Sequence, residues 1–563
     1  MMRRGFLFLI GLLLAAGFFQ GVPAAAAPSH APDELSIGVT QFPSTLSPVI
    51  DQMFVKDYVL GAVVRPLLTY NADWKLECML CTEVPSFENG RAQKVDLGAG
   101  KTGVAITFTL LPNARWGDGQ PITTEDVAFS YKLGQTPQVG VSDAEAYRRV
   151  VKVDVKDAKT FTLTLDRITF DYPIAAAVPI LPAHLEKPAF ADPAQYRFHT
   201  LYDTDPTNPG LYDGPYRVTE IVPGSHIILD RNPGWSGPQP YFRRVVIWTV
   251  ENTAALEANL LAGGLDMVAG ELGFSLDEAL AFEKRHGSQF NILYKPGLSF
   301  EHIDTNFANP ILADLRVRQA LLYGIDRKAI TDQIFSGRDP VADSVVPPLD
   351  PAFAKDLPHY NYDPAKARAL LDAAGWRQGA DGMRRKDGKP LSLELATTSG
   401  NRTREMIEQV LQAQWRQIGI AVRIKNQPAR VLIGETTKHR NFDMAMFAWV
   451  GAPENVPRSE LNSQQIPSAE NGWSGENFDG YSNPDFDKLM DAIEVELDPA
   501  KRFEMWRQLQ THYAEQLPAL PLYFRADAFV LPKWLDGVNP TGHDAPSTLW
   551  IDRWHRGQEQ ASK

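Results

Sequence analysis

Residues 108–131 read FTLLPNARWGDGQPITTEDVAFSY, and three kinds of local structure follow one another within them. Val104 to Leu110 alternates apolar and polar residues, the pattern of a half-buried strand. Trp116-Gly117-Asp118-Gly119 then has the glycines and short polar side chain of a tight turn. Thr123 or Thr124 is placed to cap a helix running through Ser130 and Tyr131, with Glu125 and Asp126 in the first turn where the helix dipole favours acids. Strand, turn and capped helix in immediate succession indicate a mixed α/β chain.

The same alternation continues in both directions. Val151, Val153 and Val155, then Phe161, Leu163 and Leu165, predict a β-hairpin around Lys156-Asp157-Ala158-Lys159. Gly214 to Val218, His226 to Arg231 and Val245 to Val250 read as strands, and Thr253 to Leu261 as a helix. Further on, helices are predicted over Asp314 to Tyr323, Asp363 to Ala374 and Arg404 to Gln417, the last stopped by Gly419 before the strand Ile420 to Ile424. Phe442 to Val450 is a strand leading into an irregular polar segment, 451–480. Helices Asn483 to Glu496 and Pro499 to Glu515 precede a closing strand, Leu520 to Phe524. No fixed-period repeat is present, so the expected architecture is α/β with at least two lobes.

The chain has 563 residues, a net charge of −12, 22% charged residues and two cysteines. That length supports several domains with substantial cores and excludes a disulfide-stapled miniprotein. The acidic balance and the absence of a Lys/Arg run argue against nucleic acid as a partner. Met1 to Arg4, the apolar run Phe6 to Phe19 and the small-residue tail Pro23 to Ala27 have the three-part form of a secretory signal peptide. Cleavage is expected after Ala26, with no cysteine there to carry a lipid. Arg3-Arg4-Gly5-Phe6-Leu7 also looks like the core of a twin-arginine signal, although the apolar stretch favours ordinary export. The mature chain would carry a charge close to −14. Cys78-Met79-Leu80-Cys81 can be read as a redox pair, half a zinc site or a local disulfide; an oxidising compartment favours the short disulfide.

Catalytic motifs are sparse. No histidine pair has helical zinc-ligand spacing, and no serine sits between glycines as a nucleophile elbow does. Gly98-Ala99-Gly100-Lys101-Thr102 lacks the earlier glycine of a phosphate loop and is expected to be a flexible loop; Asp485 and Asp487 fit a helix start. No metal or cofactor is expected. Two dispersed carboxylates in a secreted hydrolase remain a remote alternative.

Several stretches in order resemble the family 5 solute-binding proteins of ABC importers, known for oligopeptide and dipeptide receptors. They are Phe42-Pro43-Ser44-Thr45-Leu46-Ser47-Pro48, the run 108–131, Gly214-Pro215-Tyr216, Arg231-Asn232-Pro233, Asp314 to Ala320 with Gly324-Ile325-Asp326-Arg327, Ala373-Ala374-Gly375-Trp376 and Phe442-Asp443-Met444. The resemblance implies a two-lobed periplasmic binding protein of type II, cluster C-like, with an additional inserted domain. It divides the chain into a signal peptide (1–26), first-lobe segments (27–70, 186–296 and 523–563), the inserted domain (71–185) and a second lobe (297–522). It also implies a non-enzymatic, freely diffusing, monomeric receptor without a stable membrane anchor, which closes on one solute and delivers it to the permease subunits of an importer.

In the peptide receptors a strand ending in Trp-x-Gly-Asp lines the cleft, and its aspartate pairs with the peptide's ammonium. Here the matching residues are Trp449-Val450-Gly451-Ala452, so the carboxylate is absent. The resemblance implies ligand contacts from Phe42, Ser44, Trp449, Gly451, Ala452, Glu454, Asn455, Arg458 and Trp473, with Glu454 as a substitute acid and Arg458 as a partner for an anionic group. The alternative is a non-peptide ligand such as an oligosaccharide, a conjugate or an apolar solute. Gly117-Asp118-Gly119 is expected to serve the fold and not the ligand.

Overall fold

The computed structural model describes residues 31–175 and 177–557; the expected signal peptide lies outside them. The opening stretch folds as read. Thr123 Oγ1 accepts from the Glu125 amide, and Asp126 Oδ2 accepts from the Thr123 amide, closing a capping box on helix Thr124–Gly134. Trp116 is buried, and the Gly117 amide donates to the Tyr212 carbonyl. A Cβ at Gly117 would come within 2.4 Å of the Pro209 carbonyl oxygen, so only glycine lets these two chain segments approach. The turn therefore acts as a clamp between segments.

A ten-stranded mixed sheet runs through the molecule. Its strands, in chain order, are β1 (Glu34–Val39), β2 (Tyr216–Val222), β3 (His226–Arg231), β4 (Arg244–Thr249), β5 (Met267–Val268), β6 (Phe290–Thr305), β7 (Ser392–Thr397), β8 (Ala421–Ile424), β9 (Met444–Val450) and β10 (Ala519–Pro532). The spatial order is β8-β7-β9-β6-β10-β5-β1-β4-β3-β2. A separate four-stranded antiparallel sheet, built from Ala92–Gly98, Lys101–Thr109, Val150–Val155 and Thr160–Leu165, shares a continuous apolar core with β1 to β4. The Gly98–Gly100 stretch is the turn of its first hairpin, with Gly98, Ala99 and Gly100 all at positive φ, and not a free loop.

Two strands join the lobes. β6 has 16 residues and β10 has 14; they pair antiparallel from Phe290 opposite Pro532 to Asp304 opposite Ala519. One end of the pair lies beside β5 in the first lobe, and the other beside β9 in the second. The ladder shifts register between Pro296 and Phe300, where the chain crosses. The expected closing strand, Leu520 to Phe524, is thus only the second-lobe half of a longer strand. Near the crossing, Glu301 is fully buried and held by Arg404 Nε at 2.6 Å and Arg525 Nη2 at 2.5 Å. Burial alone would raise its carboxyl, but Arg525 and Arg404 outweigh that and hold it below the usual range.

Candidate functional site

The lobes face each other across a cleft of about 860 Å³, within the roughly 300–1,000 Å³ typical of ligand sites. The wall facing the second lobe comes from three segments: 48–70 and 544–549 of the first lobe, and 142–179 from the region expected as the inserted domain, which shares the first lobe's core. The second-lobe wall is one run, 452–458, together with Glu494. The walls touch at Phe170, whose amide donates to the Glu494 carbonyl at 2.9 Å and whose ring lies 4.6 Å from the Arg502 guanidinium carbon.

Helix Phe54–Val63 supplies much of the first wall. Its sequence, FVKDYVLGAV, is apolar except for Lys56 and Asp57, and both line the cleft. Lys56 Nζ is tied to the Ile50 and Asp51 carbonyls at 2.9 and 2.6 Å, and burial lowers its pKa despite nearby Asp57. Asp171, which pairs with Arg149 at 3.4 Å, faces the same space. These residues carry no motif; two adjacent charges inside an apolar helix were the one sequence signal.

The second wall is held by ion pairs. Glu454 sits at positive φ, its amide donating to Asp350 Oδ2 at 2.8 Å and its carboxylate accepting from Arg502 Nε at 3.1 Å. Burial raises the Glu454 carboxyl above its ordinary value, and Arg502 opposes that shift. Arg458 pairs with Asp491 and, at 3.4 Å, with Glu494. Both charges proposed as ligand partners are therefore already engaged within their own lobe.

Of the residues expected at the site, Ala452, Glu454, Asn455 and Arg458 line the cleft. Trp449 and Gly451 line a smaller cavity inside the second lobe, which meets the cleft at Ala452 and Asn455. Phe42 packs against the first lobe's core, and Ser44 lies behind the rim, its hydroxyl 3.4 Å from Asp51 and 3.2 Å from Met53 Sδ. Trp473 packs at a tilt against His439, 4.7 Å between ring centres, outside both spaces. Gly117-Asp118-Gly119 are absent from the cleft lining too; Asp118 instead meets His184 Nε2 at 2.9 Å. Cys78 and Cys81 are joined by a disulfide with their Cα atoms 5.1 Å apart. Among the described residues, no group of three or more His, Cys, Asp or Glu is placed to hold a metal ion.

Residues 101–464 match the model of the bacterial extracellular solute-binding proteins, family 5 (middle). The chain belongs to this family. Its members are binding proteins and not enzymes, and they act outside the cytoplasm. Among family 5 relatives, the oligopeptide-binding protein AppA of Bacillus subtilis is 26% identical over 528 residues, covering 88% of this chain and 91% of its own. The nickel-binding periplasmic protein of Escherichia coli is 24% identical, covering 92% of each. The crystal structure of the Thermus thermophilus oligopeptide-binding protein complexed with a pentapeptide superposes with a TM-score of 0.69 at 30% identity, covering 94% of this chain and 98% of the other. Family 5 membership accounts for the two lobes and the large central sheet. Among the described residues no helix is long and apolar enough to cross a membrane.

Proposed function

We propose that this family 5 protein is a periplasmic receptor that binds a short peptide between its lobes and presents it to the permease of an ABC importer. The observation that carries the reading is the cleft of about 860 Å³ bounded by both lobes, which are linked by the β6–β10 pair. A ligand touching both walls favours closure by its difference in affinity between open and closed states. The register shift at Pro296–Phe300 is the hinge of that motion, and Phe170 against Arg502 and Glu494 is its contact on closing. The leader is cleaved, and the mature receptor diffuses freely as a monomer. The relatives named for oligopeptides, together with the pentapeptide complex, support a peptide over an oligosaccharide. Ala452 offers no carboxylate and Glu454 is paired with Arg502, so a free terminal amine is not what the 452–458 wall selects.

Thermal-shift titration with di- to pentapeptides, free and N-acetylated, tests this. A ligand of the folded state raises the melting temperature with the logarithm of its concentration. Shifts of similar size from free and acetylated forms are expected. A shift from free-amine peptides alone would remove the argument from Ala452, and a shift from oligosaccharides alone would remove the peptide reading.

A further inference from the structure

The second lobe contains a cavity that the cleft does not need. Leu298, Phe300, His302 and Asp304 lie at alternate positions of β6 and point to one face of the sheet, where helix Pro499–Gln516 and the segment 451–480 cover them. The space left between is about 60 Å³. At about 10–15 Å³ per water, it holds roughly four to six water-sized groups, too few for an amino-acid residue but enough for the end of a long side chain.

Its wall is unusual in charge. Among the described residues, Asp304, Asp350, Glu460, Glu476 and Asp479 line it, no lysine or arginine does, and His302 is the only basic residue in the lining. Asp350 accepts from the Ala352 and Glu454 amides, and Asp479 faces Arg318 and Arg440 from outside the cavity. Glu460 Oε2 is buried with no hydrogen-bond partner, as are Trp506 Nε1 and His302 Nε2 on side chains only 1% exposed. Asp304 Oδ1 lies 2.9 Å from His302 Nε2 without forming a hydrogen bond. Buried polar groups in native proteins are nearly always satisfied, so the cavity is built for a polar occupant. Aromatic rings line the same space and continue behind it. Phe300 stacks on His302 at 5.1 Å, His302 on Trp449 at 6.4 Å and Trp449 on Phe478 at 5.7 Å. Aromatic faces and the one unanswered carboxylate oxygen, on Glu460, share a preferred guest, a cation.

The doorway is Ala452 with Asn455, the two residues common to cavity and cleft. A methyl at position 452 leaves the entrance open, and a Cβ on neighbouring Gly451 would meet nothing within 4 Å. We propose that this cavity is a subsite for a basic side chain of the bound peptide, a lysine ammonium or arginine guanidinium threaded past Ala452 to Glu460 and Asp304. A terminal ammonium is a poorer fit, because it would carry a whole residue into a space that admits only a side-chain end. A water retained beside Trp506 would give the indole N–H its acceptor.

This inference rests on the peptide-receptor reading, and calorimetry separates the two. N-acetylated pentapeptides Ala-Ala-X-Ala-Ala, with X moved through every position, are titrated into the mature protein with X as lysine, arginine or norleucine. At one position, lysine or arginine is expected to bind at least about tenfold tighter than norleucine, the scale of a single charge-assisted contact. Glu460→Gln, and independently Ala452→Phe at the doorway, are expected to shrink that ratio to about threefold or less. Equal binding of norleucine at every position overturns the subsite and leaves the receptor reading intact. A basic preference unaffected by either variant likewise overturns the cavity as its source. If no pentapeptide binds, acetylated or free, the receptor reading itself fails and the subsite with it.

Discussion

The two walls of the cleft are made differently. The first-lobe wall gathers three segments distant in sequence, 48–70, 142–179 and 544–549, and rests on an apolar helix whose one lysine is tied to backbone carbonyls. The second-lobe wall is a single short run held by Arg502, Asp350, Asp491 and Glu494. A wall assembled from distant pieces has its shape set by core packing, whereas a short run without regular structure must be held by polar contacts. The difference predicts that charge mutations disturb the second wall more than the first.

The largest expected effect is at Arg502. It is 7% exposed and also donates to the Glu496 carbonyl, so Arg502→Ala strands the half-buried Glu454 carboxylate. A loss of about 3–5 kcal/mol in unfolding free energy is expected from chemical denaturation. Lys56→Met on the first wall gives up two hydrogen bonds but leaves only uncharged carbonyls behind, so about 1–3 kcal/mol is expected in the same measurement. If Lys56→Met costs more than Arg502→Ala, the comparison between the walls is wrong.

Each wall also has a buried carboxyl that responds to pH. Burial pushes Asp350, behind the second wall, up to about 6 and Asp213, which accepts from the Arg65 amide behind the first, up to about 7. Their folded values exceed the unfolded value of about 4, so the stability they contribute is complete below that pH and is lost as pH rises through 6 and 7. Each contributes a slope of up to about 1.4 kcal/mol per pH unit within its window. Melting curves between pH 5 and pH 8 should flatten below about pH 6 in Asp350→Asn and up to about pH 7 in Asp213→Asn. An unchanged slope in both variants would place the titration elsewhere. The smallest effect is expected at Phe170, where the walls meet. Phe170→Ala removes a cation–π contact worth roughly 0.5–1 kcal/mol and should weaken ligand binding about two- to fivefold with little change in unliganded stability.

Much of the fold was legible because its signals are local. Thr123 with Asp126, Asp314, Asn401, Asn483 and Asp498 all cap the helices they precede, and the alternation in 150–165 gives a hairpin. The crossing strands were not legible in full. Pro296-Gly297 has the composition of a break, yet β6 continues through it because the missing proline N–H falls at the register shift, where the ladder is already interrupted. The second wall was reachable through the family resemblance of Trp449 to Ala452. The first wall was not, since Lys56, Tyr70 and Asp171 meet only after folding, and Phe42, Ser44 and Trp473 lie away from the cleft lining. The acidic cavity was hidden for the same reason: Asp304, Asp350 and the pair Glu460 and Asp479 belong to three separate segments.

Native mass spectrometry of the protein isolated from its native host tests the central claim most directly. The account predicts a population carrying one extra mass that fragments into the sequence ions of a short peptide. A retained solute that yields no peptide fragments, with no displacement by added peptides, would contradict it.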